Sequence, residues 1–155
     1  MAIPRTSGFP CHWWSDYIDL GFDTLGFLAY LWGNERRRIE GIYRLPLGYI
    51  TEDTKLPMAT IKRHITTLEQ ADLIEYDPKA GVVFLHQYMD CQKQLNQTKV
   101  PPSTATGIAR NIATLRLRCN GILNSWENDR DKHPRLVEAL EEEYHTEYND
   151  SGSND

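Results

Sequence analysis

Residues 41–88 read GIYRLPLGYITEDTKLPMATIKRHITTLEQADLIEYDPKAGVVFLHQY, and their pattern decides the fold. Residues 47–72 divide into two apolar-periodic segments around Lys55-Leu56-Pro57. In the second segment Ile61, Ile65 and Leu68 fall at i, i+4 and i+7, which is one face of a helix. Leu73-Ile74-Glu75-Tyr76 and Val82-Val83-Phe84-Leu85 have the composition of two short strands. Between them Asp77-Pro78-Lys79-Ala80-Gly81 carries turn formers at turn spacing. Pro46 suits the first turn of a helix in which Leu47, Ile50 and Thr54 share one face, and residues 42–45 form a strand ahead of it.

Strand, helix, tight break, helix and hairpin make a winged helix-turn-helix. The expected class is mostly α with a small β-hairpin (α+β). The expected parts are a winged-helix domain with an N-terminal arm over 1–90, a linker over 91–103, a helical C-terminal extension over 104–148 and a disordered acidic tail over 149–155.

The run resembles the winged-helix domains of phage replisome organisers and DnaD-type primosome proteins. The residues that carry the resemblance are Gly41-Ile42-Tyr43-Arg44-Leu45-Pro46, the helix end Leu68-Glu69-Gln70-Ala71-Asp72 with the strand after it, and the closing Gly81-Val82-Val83-Phe84-Leu85. Two positions depart from the pattern. Pro57 stands where a Ser usually caps the second helix, which removes a side-chain cap. Asp72 stands where a Gly usually ends it, which puts a non-glycine residue near left-handed geometry.

The resemblance implies double-stranded origin DNA as one partner, and a replicative helicase or its loader as another. It also implies that residues 57–71 form the recognition helix. With Ile61, Ile65 and Leu68 turned inward, Met58, Ala59, Thr60, Lys62, Arg63 and Thr66 remain for the groove. Lys62 and Arg63 suit phosphate or guanine contact. An ordinary polar helix face has the same composition, and His64 beside it reads as partly exposed. Arg36-Arg37-Arg38, Arg44 and the wing-tip Lys79 add candidate phosphate contacts. Glu35 and Glu40 around the arginine triplet also fit a solvated loop. A wing tip with Lys79 as its one base is poor for gripping DNA.

Net charge is −5. Residues 127–155 hold ten acids and three bases, and the remaining 126 residues hold fourteen bases and twelve acids. The acidity belongs to the C-terminal part, but a net +2 elsewhere is modest for a DNA binder. No apolar run approaches the roughly 18 residues of a membrane span, and the N-terminus lacks the apolar core of a signal peptide. Cys11, Cys91 and Cys119 form no CxxC pair, so a reducing, cytoplasmic setting is the default.

Outside the central run, residues 1–15 read as an irregular arm whose tryptophans, Trp13 and Trp14, pack on the domain. Cys11-His12 lacks the paired spacing of a structural metal site, so no metal or cofactor is expected. Residues 16–32 read as a helix, at least from Asp23, its N-cap, and Gly33-Asn34 ends it. Val100-Pro101-Pro102-Ser103 marks the linker, and Ser103 or Thr104 caps a helix running to Trp126. Along it Ile108, Ile112, Leu115, Cys119, Ile122 and Trp126 form a narrow stripe that fits either docking on the core or a homodimer seam. His133-Pro134 opens a last helix, with Val137, Leu140 and Tyr144 on one face.

Glycine-rich phosphate loops, HExxH, GxSxG and paired cysteines are all absent, and Glu141-Glu142-Glu143 is a charge run on a helix. The reading is a non-enzymatic, DNA-binding replication initiation factor. Two rivals share the domain: a transcriptional regulator on an operator, and a winged helix that binds a host or phage protein.

Overall fold

The computed structural model describes residues 13–96 and 98–151. Within them the chain is mostly helical with one three-stranded antiparallel sheet, an α+β arrangement. It divides into two compact units, residues 1–92 and 93–155.

The first unit contains α1 (Trp13–Tyr17), a 3₁₀ turn (Ile18–Leu20), α2 (Phe22–Gly33), β1 (Ile42–Arg44), α3 (Leu47–Thr54), α4 (Met58–Gln70), β2 (Ile74–Asp77) and β3 (Val82–Leu85). The hairpin strand β3 lies in the middle of the sheet, with β1 on one side and β2 on the other. Arg44 is opposite Val82, and Ile74 is opposite Leu85. All four side chains of β3 are buried, as a central strand covered on both faces requires.

The helix periodicity is borne out in α4, where Ile61 and Leu68 are fully buried and Ile65 nearly so. Burying each such side chain contributes about 1.5–3 kcal/mol. They pack with Leu28, Leu31 and Trp32 of α2, Ile50 of α3, and Val83 and Leu85 of β3. Trp32 anchors the far side of this core, with Trp13 edge-on at 4.5 Å and Tyr88 at 4.7 Å. Trp13, at the start of α1, is buried on this core; the rest of the expected arm before it lies outside the described residues.

Two glycines make this assembly possible. At Gly41 φ is +71°, and an added Cβ would stand 2.9 Å from Tyr88 Cβ. At Gly81 φ is +64°, and a Cβ would stand 3.0 Å from the backbone of Pro46. Asp72 takes the left-handed conformation at φ 59° where α4 ends. Leu73 N then donates to Leu68 O at 3.0 Å, closing the helix without a glycine.

The first helix departs from the sequence expectation. Asp23 lies inside α2 rather than capping it, and Gly21 at φ 97° stands at the cap. A glycine there lets the chain turn sharply out of the 3₁₀ segment, which no side-chain signal announces.

The second unit holds α5 (Lys93–Asn96), α6 (Pro102–Arg116), α7 (Asn120–Arg130) and α8 (Pro134–Ser151). Three boundaries differ from those expected. The stretch read as a linker over 91–103 is largely structured. It contains α5, and Leu95 and Val100 are buried because they are its apolar anchors. The helix expected to run to Trp126 breaks at Leu117–Cys119, where Arg118 N and Cys119 N both donate to Leu115 O at 2.9 Å. The poor helix formers Asn120 and Gly121 follow the break. Finally, α8 continues through Asn149 to Ser151, into the stretch read as a disordered tail.

Candidate nucleic-acid interface

The turn between α3 and α4 is set by Lys55 at φ 59° and by Pro57 as N-cap of α4. No side chain caps α4. Its first turn therefore presents free backbone N–H groups, a position suited to anions. The outward face carries Met58, Ala59, Lys62, Arg63 and Thr66, all exposed, with Thr60 half-buried. Arg63 lies 3.4 Å from Asp23 of α2, with both side chains about two-thirds exposed, an arrangement of little energetic weight. Among the described residues Lys62, Arg44 and Lys79 form no ion pair.

A second exposed group follows in chain order. The chain passes up α4, turns at residues 71–73, and returns along β2 to the hairpin turn that carries Lys79. Asp77 Oδ1 accepts from Lys79 N and Ala80 N, both at 3.0 Å, which shapes that turn. Tyr76 OH donates to Leu45 O at 2.8 Å, and Leu45 N to Gly81 O at 2.7 Å, tying the turn to the start of α3. Arg44 is exposed on β1 beside this end of the hairpin. Lys55, also exposed, is a candidate that the sequence reading passed over. Its signal was its position, one residue-triplet ahead of α4.

His64 differs from the expectation. It is buried on the inner side of α4, stacked on Phe27 at 5.2 Å, with Nδ1 3.0 Å from Thr24 Oγ1. Burial lowers its pKa, partly countered by the negative charge of Asp23. It joins α2 to α4 and does not lie on the exposed face of α4.

The arginine triplet is drawn into the fold. Arg36 Nη1 donates to Asp53 at 2.9 Å and stacks over the Tyr49 ring at 4.4 Å. Tyr30 OH donates to the same carboxylate at 2.6 Å, and burial followed by this bond raises the Tyr30 pKa. Arg37 Nη1 donates to Gly33 O at 3.4 Å and Asn34 O at 3.1 Å, covering carbonyls at the end of α2. Arg38 Nε lies 2.5 Å from Glu40, whose side chain is fully buried. Nearby, Asn34 Nδ2 donates to Tyr43 OH, which donates to Leu31 O. The phosphate role expected for these three arginines competes with these bonds.

The apolar stripe of the C-terminal unit is likewise consumed. Ile108, Ile112, Leu115, Cys119, Ile122 and Trp126 are all buried within a single chain, Trp126 completely. Its packing is supplied by the neighbouring helices α7 and α8 of the same unit. The Cys11-His12 pair lies outside the described residues. Among those described, no group of His, Cys, Asp and Glu is placed to hold a metal ion. Cys119 Sγ donates to Leu115 O at 3.3 Å, and burial pushes the Cys91 pKa up. No described helix is long and apolar enough to cross a membrane.

Compared with known proteins, the chain matches no family model, no curated protein and no solved structure.

Proposed function

We propose that residues 13–92 are a winged helix-turn-helix that binds double-stranded DNA. In this reading α3 and α4 are the helix-turn-helix, α4 enters the major groove, and the β2–β3 hairpin is the wing. One observation carries it: the outer face of α4 is exposed and bears Lys62 and Arg63, and Lys55, Lys79 and Arg44 are exposed on the elements before and after it in the chain. Five exposed bases can neutralise phosphates, while Ala59 and Thr66 are small enough for base edges to be approached. The resemblance to phage replisome organisers and DnaD-type proteins supports a role in replication initiation. The helicase or its loader would then be the protein partner. An operator-binding regulator would use the same surface.

A protein-interaction module is the second reading, and a specific observation favours it. Arg36, Arg37 and Arg38 are held by the fold. Residues 1–92 carry nine bases against twelve acids, a net charge that does not favour DNA.

The test is duplex binding by the whole chain across a salt series, with wild type beside Lys62→Ala/Arg63→Ala. Binding should weaken steeply with salt, and the double variant should reduce the logarithmic slope by about 2. Tighter binding to origin DNA than to random duplex supports replication. No binding by the wild type at low salt overturns the DNA reading and leaves the protein-interaction module.

A further inference from the structure

Two exposed faces of the C-terminal unit carry opposite charge around apolar side chains. On α6 and the turn after it, Arg110 and Leu117 stand seven residues apart on one outward line, with Ala113 and Thr114 between them and Arg118 alongside. Leu117 is 89% exposed. On α8, Glu141, Tyr144 and Tyr148 follow one another at spacings of three and four, with Glu147 at their flank. Tyr144 is 61% exposed and Tyr148 82%. Large apolar side chains exposed together within a charged rim mark interaction surfaces.

The neighbouring charges are used inside the unit. Arg116 pairs with Glu127, Lys99 Nζ lies 4.0 Å from Glu142, and Thr106 Oγ1 donates to Glu143 at 2.8 Å. Among the described residues Arg110, Arg118, Glu141 and Glu147 form no ion pair. The charges are unevenly distributed along the chain: residues 93–126 hold five bases and no acid, and residues 127–155 hold ten acids and three bases.

The two faces also match in length. Seven residues of helix span about 10 Å, from Arg110 to Leu117 on one face and from Glu141 to Tyr148 on the other. Laid side by side in the same direction, they bring Arg110 to Glu141 and Leu117 to Tyr148. The small side chains Ala113 and Thr114 then leave room for Tyr144, and Arg118 meets Glu147. We propose that these faces are the two halves of a contact between two copies of this chain, α6 of one copy receiving the end of α8 of the other. A two-fold axis makes the contact twice and closes it as a dimer. Charge complementarity and equal spacing within one sequence point to a second copy as the occupant. The inference is independent of DNA binding.

Sedimentation of the full chain over a wide concentration range tests it, at low and high salt. A reversible dimer that weakens with salt is expected. Arg110→Glu should weaken it about tenfold, since it replaces attraction by repulsion at both copies of the contact. Adding Glu141→Arg should restore it, and Leu117→Ser should weaken it without a charge change. All three positions are exposed, so the far-ultraviolet circular dichroism should be unchanged, which separates loss of the contact from loss of folding. A monomer at every concentration overturns the proposal. So does a dimer indifferent to Arg110→Glu, or one that the paired reversal fails to restore.

Discussion

Removing the Arg38 guanidinium tests whether the arginine triplet serves the fold or the DNA. The Glu40 side chain is fully buried, and Arg38 Nε stands 2.5 Å from it. Breaking a buried ion pair by deleting one partner costs about 3–5 kcal/mol, because the other charge stays behind without water. Arg38 is itself 39% exposed, so water can enter the space it leaves and recover part of that loss. Arg38→Ala should therefore destabilise the N-terminal unit by about 2 kcal/mol. With a urea dependence of about 1 kcal/mol per molar for a unit of this size, its midpoint falls by about 2 M.

Two compact units need not unfold together, so the assay must report on one of them. Urea-dependent hydrogen exchange on peptides from residues 41–92 of the full chain does so. Adding Glu40→Gln to Arg38→Ala removes the buried charge and should return about half of the loss. Arg36→Ala, whose pair with Asp53 is partly exposed, should cost no more than about 1 kcal/mol. The reasoning is refuted if Arg38→Ala leaves the exchange midpoint unchanged while weakening duplex binding. Arg38 would then be a phosphate contact, as its sequence neighbourhood first suggests.

Three further outcomes follow from the same contacts. Burial holds the folded pKa of His64 below its ordinary 6.5, so the unfolded chain takes up the proton first. Its contribution to stability should be full above that value and lost as pH falls through the lower folded pKa; the exchange midpoint of α4 peptides against pH measures this, and His64→Phe should flatten the curve. Trp126→Ala should destabilise the C-terminal unit by about 3–5 kcal/mol, because the side chain is fully buried. Peptides of α6 and α7 should then lose exchange protection, and protection equal to wild type would show the stripe is not a core. Gly81→Ala should cost about 1–3 kcal/mol through its positive φ and its approach to Pro46, read as a lower melting temperature of the N-terminal unit.

The sequence by itself determined the features that depend on near neighbours. The 3.6-residue period of Ile61, Ile65 and Leu68 fixes which side of α4 is inner, and all three are buried. Turn formers at 77–81 fix the hairpin, since Asp77 bonds its own following amides wherever the turn sits. Even the left-handed Asp72 was legible, because the helix must stop there without a glycine.

The tertiary structure alone decided what each charged or apolar face meets. Arg36 finds Asp53 and His64 finds Thr24 across separate helices, and no local pattern encodes those pairings. The same holds for the stripe from Ile108 to Trp126. Its spacing is preserved across a break at residues 117–119, because both helices turn their apolar sides inward. Periodicity specifies that a face will be buried, whereas the approach of distant elements specifies by what. That approach gave Arg36, Arg37 and Arg38 partners within the chain and left Lys62 on α4 with none among the described residues.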